Sequence, residues 1–512
     1  MTARWDTRED ANMKSRILAA CLGAVLLLGA AGVPYVPPAP ADSVTHAVAH
    51  VNGQTIAYTT RSGMITLRND KDQLTARMFY TAFIKDGADA KTRPVTFFYN
   101  GGPGSSTIWL RMGSFAPLRV ETQNDKSIPG PAFHLIENNY SLIDKSDLVF
   151  VDAPNTGWSR VLGAGEPKDF MGVDQDGRAF TQFIQRYITQ FGRWNSPKFL
   201  FGESYGTTRD CVLVNMLQEA GVQMNGVVLL SSILNFGLGG LGGGQQIGGG
   251  DWAYVGYLPT EAAAAWFHHK AGQGQSLTAF LRGVEAFAGG TYVHDLAQGA
   301  DLSQSEFNAD VARLHQYIGL PEDYIRNSNL RIPYFRFLQA LLRDQDTLVG
   351  RYDARYTTWD LAPNNDTPEW DPSDVGISGA FVSLGMNYMT QTLGYHTNLM
   401  YRPTAYGPVL GARWDMHHNG DDPPANVAPD LARAMTTNPH LKVFSANGYF
   451  DFATPYFATE YTLNHLGLAP ALQQNLTYGF YQSGHMVYLN PQALVAFKAD
   501  LAAWYDMTLA SH

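Results

Sequence analysis

Cysteine is almost absent from the chain. Cys21 and Cys211 are the two in 512 residues. An exported chain that sheds the first of them can form no internal disulfide, so the fold must rest on its apolar core. Charge is also scarce. Asp, Glu, Lys and Arg make up 16% of the residues, the net charge is −10, and no long basic run occurs. Nucleic acid is therefore excluded as an expected partner. No apolar run reaches the roughly 20 residues of a membrane span. No internal repeat appears. There is no Cys/His cluster at metal-ligand spacing, so neither a metal nor an organic cofactor is implied. The nearest approach, His417-His418 with Asp415 and Asp421, reads as a solvated loop.

What is present at the N-terminus reads as a processing segment. Lys14 and Arg16 precede the short apolar stretch Ile17–Ala31, and Ala39-Pro40-Ala41 follows a Pro-rich stretch. This order of basic, apolar and small residues predicts a secretory signal and leader over residues 1–41, and no stable membrane insertion once it is removed. Asp6, Glu9 and Asp10 suit such a segment badly, which makes Met13 an alternative start. Leu18-Ala19-Ala20-Cys21 resembles a lipidation motif, but the apolar run lies after it rather than before. The lack of disulfides and of obvious dependence on N-glycosylation, with Asn475-Leu476-Thr477 as one sequon, favours a bacterial exported protein, periplasmic or secreted.

Residues 45–83 alternate in places and predict antiparallel strands, with turns at Asn52-Gly53 and Ser62-Gly63. Short continuous apolar runs follow at Val95–Tyr99, Leu148–Val151, Phe199–Phe201, Val227–Leu230 and Val443–Phe444. Such runs fit a sheet buried on both faces. Helical spacing recurs at Phe180–Phe191, Ser204–Gln218, Asp430–Met435 and Ala493–Tyr505. The pattern is α/β with a mostly parallel sheet and helices on both faces. The division expected is a first core part over 42–235, a largely helical lid over 236–420 and a second core part over 421–512. Within the lid, Phe236–Gly250 is extremely Gly-rich and reads as a loop. Helical spacing appears at Thr260–Gln273, Ser276–Phe287, Ser303–Ile318 and Arg336–Arg343, and Trp359–Val375 is rich in Pro, Asp and Asn.

Within the first core part, an apolar strand runs into Gly202-Glu203-Ser204-Tyr205-Gly206 and then into a helical pattern. Strand, G-x-S-x-G and helix together describe a nucleophile elbow. Its glycines permit a tight turn, and Ser204 is lifted off the sheet end with the Tyr205 N–H pointing at any developing negative charge. A serine hydroxyl needs a base and an acid to orient that base. Of 14 histidines, His485 stands just before the closing helix, and Asp451 follows the Val443–Phe444 strand. The order Ser, Asp, His, each after a strand, suits an α/β-hydrolase. A second oxyanion donor is expected at Gly102, in Asn100-Gly101-Gly102-Pro103-Gly104. Cys211 reads as core packing, and Asp152 as a structural residue beside the site.

Taken in order, Asn100–Ser106, Val151–Ser159, Gly202–Gly206 and Gly484–Val487 resemble the four signature blocks of the serine carboxypeptidase family. That resemblance implies an α/β-hydrolase fold with an inserted lid and removal of the last residue of a peptide substrate. Ser204 would be the nucleophile, His485 the base and Asp451 its partner. Gly102 and Tyr205 would form the oxyanion hole, while Asn100 and Glu203 would bind the substrate's terminal carboxylate. Two carboxyl groups in contact cannot both stay ionised, so Glu203 would carry a proton and donate it. The chain departs from the family at Phe98, where Trp is usual, at Ser105, where Cys is usual, and at Ser114, where a second Glu commonly stands. Arg111 or Arg119 would offer a cationic substitute for that Glu. Trp252, Tyr254 and Tyr257 are candidate pocket walls. The same machinery suits an esterase or acyltransferase. A binding protein that has kept the fold without turnover is the remaining alternative.

Overall fold

The structure, a computed structural model, describes residues 36–238, 250–405 and 414–510. The predicted leader up to residue 35, with Cys21, and most of the Gly-rich stretch (239–249) lie outside the described residues.

Among the described residues one sheet dominates. Its strands are β1 (Ser43–Val51), β2 (Gln54–Arg68), β3 (Leu74–Lys85), β4 (Val95–Tyr99), β5 (Asp147–Val151), β6 (Lys198–Ser204), β7 (Gly226–Ser232), β8 (Lys442–Gly448) and β9 (Leu476–Tyr481). They lie in the order β1-β2-β3-β5-β4-β6-β7-β8-β9, with the short strand Arg160–Val161 paired to β3. The first three strands and the β3–β5 pair are antiparallel. From β5 onward every pair is parallel.

The central strands are buried at nearly every position because both faces are covered. Phe98, Phe150, Phe201, Val228 and Phe444 point into one core layer. Their neighbours Phe97, Val149, Leu200, Val227 and Val443 point into the other. Phe98 stacks on Phe150 at 4.6 Å and on Phe201 at 4.7 Å. The covering helices include α1 (Val173–Gln190), α2 (Tyr205–Glu219), α5 (Ala428–Thr437) and α6 (Pro491–Ala510). Cys211 is buried in the layer beneath α1 and α2, as packing requires.

Between β7 and β8 the chain is mainly helical, starting with α3 (Asp251–Phe267) and including α4 (Pro372–Asn387). This segment has an apolar core of its own, built from residues such as Leu258, Phe280, Leu314 and Phe337. No described helix is long and apolar enough to cross a membrane.

One expectation changes, and three further features become visible. The turn at Ser62-Gly63 does not exist, because β2 runs straight through it. Gly63 serves close approach instead, since a Cβ there would meet the Asp42 carboxylate at 2.2 Å. The stretch Trp359–Val375 is irregular only up to Asp371, whose carboxylate caps the start of α4 at Ser373. The edge strand β9 escaped the reading because four of its six side chains are only half-buried, leaving no continuous apolar run. Asn475 is unsuited to glycosylation. It is buried, its Nδ2 donates to the Pro439 carbonyl at 2.8 Å, and its Oδ1 accepts from Lys442 Nζ at 2.6 Å.

Candidate active site

Parallel strands β4 and β6 end side by side, with Tyr99 in register with Gly202. Ser204 therefore emerges beside the Asn100–Gly104 loop. Its backbone sits at φ +62°, ψ −130°, and α2 begins at the next residue. Few side chains adopt that conformation, and it persists only where the surroundings hold it. The surroundings here leave no space. A Cβ on Gly202 would meet the Gly206 carbonyl at 2.2 Å, and one on Gly101 would meet the Tyr205 nitrogen at 2.4 Å. The loop is braced from below as well. Buried Arg209 donates to the Asn100 carbonyl at 2.9 Å and to Asp176 at 2.6 Å. Asp152 accepts the Thr107 N–H at 2.8 Å, consistent with its structural reading.

His485 follows β9 and Asp451 follows β8, so the parallel pairing of these strands brings the two residues together across 34 positions. His485 Nδ1 lies 2.8 Å from Asp451 Oδ2. The other carboxylate oxygen accepts the N–H groups of Ala453 at 2.8 Å and Thr454 at 3.0 Å. Thr454 Oγ1 donates to Asp451 Oδ2 at 2.6 Å and lies 3.2 Å from His485 Nδ1. An aspartate so bonded is held in one orientation, and an imidazole Nδ1–H facing it leaves Nε2 to accept a proton.

Ser204 and His485 line one cleft of about 140 Å³, together with Asn100, Gly102, Glu203 and Tyr205. Asp451 lies behind His485, fully buried. Asn100 Nδ2 donates to Glu203 Oε1 at 2.9 Å. Burial pushes the Glu203 carboxyl up to about 7, opposed by His485 and the Tyr488 hydroxyl and assisted by the Asp451 charge. At neutral pH this group is thus poised between hydrogen-bond donor and anion.

Several expected contributors stand elsewhere. Ser114 is buried and its hydroxyl donates to the Leu110 carbonyl at 2.6 Å. Arg111 is fully buried and donates to the Tyr401 hydroxyl at 3.1 Å, and Arg119 donates to the Val120 carbonyl at 3.2 Å. Neither lines the cleft. Trp252, Tyr254 and Tyr257 pack against neighbouring helices and do not line the cleft. Trp252 lies on Tyr461 at 4.1 Å and Tyr257 on Tyr334 at 4.7 Å, because α3 turns these rings toward its helical neighbours. The His417-His418 loop is solvated at His417 and Asp421 but not at His418. His418 is buried between Asp174 and Asp430, 2.6 Å from each.

Three contributors escaped the sequence reading. Arg351, Tyr352 and Asp374 line the cleft, all from the segment between β7 and β8. The Tyr352 carbonyl accepts the His485 N–H at 2.6 Å, and its ring lies 5.1 Å from the imidazole. No motif surrounds these residues. A Tyr-Asp pair in a polar loop carries no signal of its own.

The sheet order, the elbow and the helical insertion define an α/β-hydrolase fold. Residues 51–224 match the family model described as serine carboxypeptidase. Serine carboxypeptidase-like 16 of Arabidopsis thaliana is 28% identical over 182 residues, 33% of this chain and 39% of that protein. The pheromone-processing carboxypeptidase KEX1 of Saccharomyces cerevisiae is 29% identical over 156 residues, 28% of this chain and 20% of that protein. The chain thus spans well under half the length of these curated relatives. A crystal structure of KEX1(ΔP), a prohormone-processing carboxypeptidase from S. cerevisiae, aligns with a TM-score of 0.54 at 16% identity, covering 86% of this chain and 89% of that one. The chain is therefore similar to serine carboxypeptidases in sequence over its first core part, and its fold is theirs.

Proposed function

We propose that the protein is an exported serine carboxypeptidase. Ser204 Oγ attacks the last peptide carbonyl while His485 Nε2 takes its proton, with Asp451 holding the imidazole. The N–H groups of Gly102 and Tyr205 receive the oxyanion. His485 then protonates the departing amino acid, and water repeats the sequence on the acyl-enzyme. Asn100 and Glu203 receive the substrate's terminal carboxylate, Glu203 as the protonated acid. The segment 236–420 acts as a lid, supported by its contribution of Arg351, Tyr352 and Asp374 to the cleft wall. The leader at residues 1–41 supports export.

The observation that carries this reading is the buried Asn100–Glu203 pair beside Ser204 in the cleft that also holds His485. A general hydrolase has no use for an acid next to its nucleophile that titrates near neutrality. The test is mass spectrometry of an N-blocked peptide incubated with the enzyme and with Ser204→Ala at about pH 5 and 7.5. Stepwise loss of C-terminal residues, absent in the variant, is expected. An intact peptide alongside Ser204-dependent cleavage of a simple ester would replace this reading with an esterase or acyltransferase. The buried, backbone-bonded Ser114, which brings no second acid to the cleft, favours that alternative.

A further inference from the structure

We infer that Arg351 is a specificity-determining residue that binds a carboxylate of the substrate, an inference resting on the peptide-site reading above. Arg351 follows the short strand Thr347–Val349 and lines the cleft together with the Asn100–Gly102 loop, next to Tyr352, whose ring lies against His485. Its side chain is half-buried. Its Nε donates to the Tyr334 hydroxyl at 3.3 Å, and its guanidinium carbon lies 5.2 Å from the Tyr352 ring centre.

Among the described residues no carboxylate forms an ion pair with it. Four buried arginines of this chain meet an acid, whereas buried Arg111 and Arg119 form no ion pair among the described residues. Arg93 and Arg193 share Asp147, Arg209 meets Asp176, and Arg355 meets Asp353. The acids near Arg351 are otherwise engaged. Asp371 accepts the backbone N–H groups of Arg351 and Tyr352 and the Ser373 hydroxyl. Asp374, on the same cleft wall, accepts the Ser378 hydroxyl at 3.0 Å. A cation withdrawn from water is retained where something balances it. Here the balancing group is one that arrives with the ligand.

The supporting loop is fixed rather than adaptable. Gly350 N–H donates to the Tyr356 carbonyl at 2.9 Å, and Ala354 N–H to the Phe450 carbonyl at 3.0 Å. A guanidinium on a fixed loop presents a preorganised fork suited to a carboxylate. Two sources would supply that group: the free chain terminus, or an acidic side chain beside the scissile bond.

The experiment compares kcat/KM of wild type, Arg351→Gln and Arg351→Lys on matched peptides. One pair differs in a free or amidated terminus, the other in Glu or Gln at the penultimate residue. Wild type is expected to prefer the charged member of one pair, and Arg351→Gln to reduce that preference about ten- to hundred-fold, as loss of a charge-assisted hydrogen bond does. Loss of the acid-over-amide preference identifies the terminus, and loss of the Glu-over-Gln preference identifies the side chain. Arg351→Lys keeps the charge without the fork and gives an intermediate ratio. It carries the test should the Gln variant show a collapsed melting midpoint. Both ratios unchanged in a folded variant would overturn the inference. Should wild type cleave an ester but no peptide, the peptidase reading fails by itself. Arg351 is then judged by inhibition of ester cleavage with N-acetyl-leucine and its amide. Weaker inhibition by the acid alone in Arg351→Gln upholds it, and unchanged inhibition overturns it.

Discussion

Asn100 Nδ2 and Glu203 Oε1, separated by 103 positions, meet at 2.9 Å at the ends of two adjacent parallel strands. The contact places a buried carboxyl beside Ser204, where burial raises it to about 7 from an ordinary 4.5. Protonated, it can donate to an incoming carboxylate; ionised, it repels one. KM for a free-acid peptide is therefore expected to rise between pH 6 and 8, by up to about tenfold for a single ionisation near 7. Glu203→Gln should flatten that rise. A wild-type KM that stays level over the same range would remove Glu203 from carboxylate binding.

Asp451→Asn should leave the protein folded, since Asn can still accept the Ala453 and Thr454 N–H groups. It would favour the wrong imidazole tautomer, and kcat is expected to fall about 10³–10⁴-fold with little change in KM. Steady-state kinetics on a peptide or an ester checks this. A loss below tenfold would assign Asp451 to the fold alone.

Gly101→Ala tests the oxyanion site through sterics. The added Cβ would lie 2.4 Å from the Tyr205 nitrogen and 2.6 Å from that of Gly206, both backbone atoms that cannot swing aside. The Tyr205 N–H must shift, and loss of one oxyanion donor lowers kcat about 10²–10³-fold. Circular dichroism alongside kinetics separates this from unfolding. Full activity in the variant would mean that the Tyr205 amide is not used.

His418 makes a prediction about stability. It faces Asp174 through Nδ1 and Asp430 through Nε2, so both ring nitrogens must carry protons to donate. Burial pushes its pKa down, but the hydrogen bonds and charges of Asp430 and Asp174 outweigh it and raise the value above 6.5. A raised folded-state value means the stabilisation is complete below about pH 6.5 and is lost as pH climbs through the raised value. His418→Ala is expected to lower stability by about 3 kcal/mol at pH 6, because it leaves two carboxylates facing a gap. The difference from wild type should shrink by pH 9. Denaturant titrations at both pH values measure it, and a pH-independent gap would contradict the charged form.

Much of this protein was legible as sequence. Strand identity at Val95–Tyr99, Val227–Leu230 and Val443–Phe444 follows from apolar runs that only a doubly covered sheet can bury. Ser204, Glu203 and Tyr205 were legible because a strained turn demands glycines at fixed offsets, and chain geometry is local. The candidate acid and base were legible as loop residues following strands, in a recognisable order.

Tertiary structure decided whatever depends on distant parts of the chain meeting. Only the parallel pairing of β8 and β9 brings Asp451 to His485, and β9 itself carries too little apolar signal to be read. His418 looked solvated because its partners, Asp174 and Asp430, lie 244 and 12 positions away. No local pattern marks Arg351, and only the fold of the helical segment brings it to the cleft. A charge's role is set by what stands within a few ångströms of it, and that list is written by the fold.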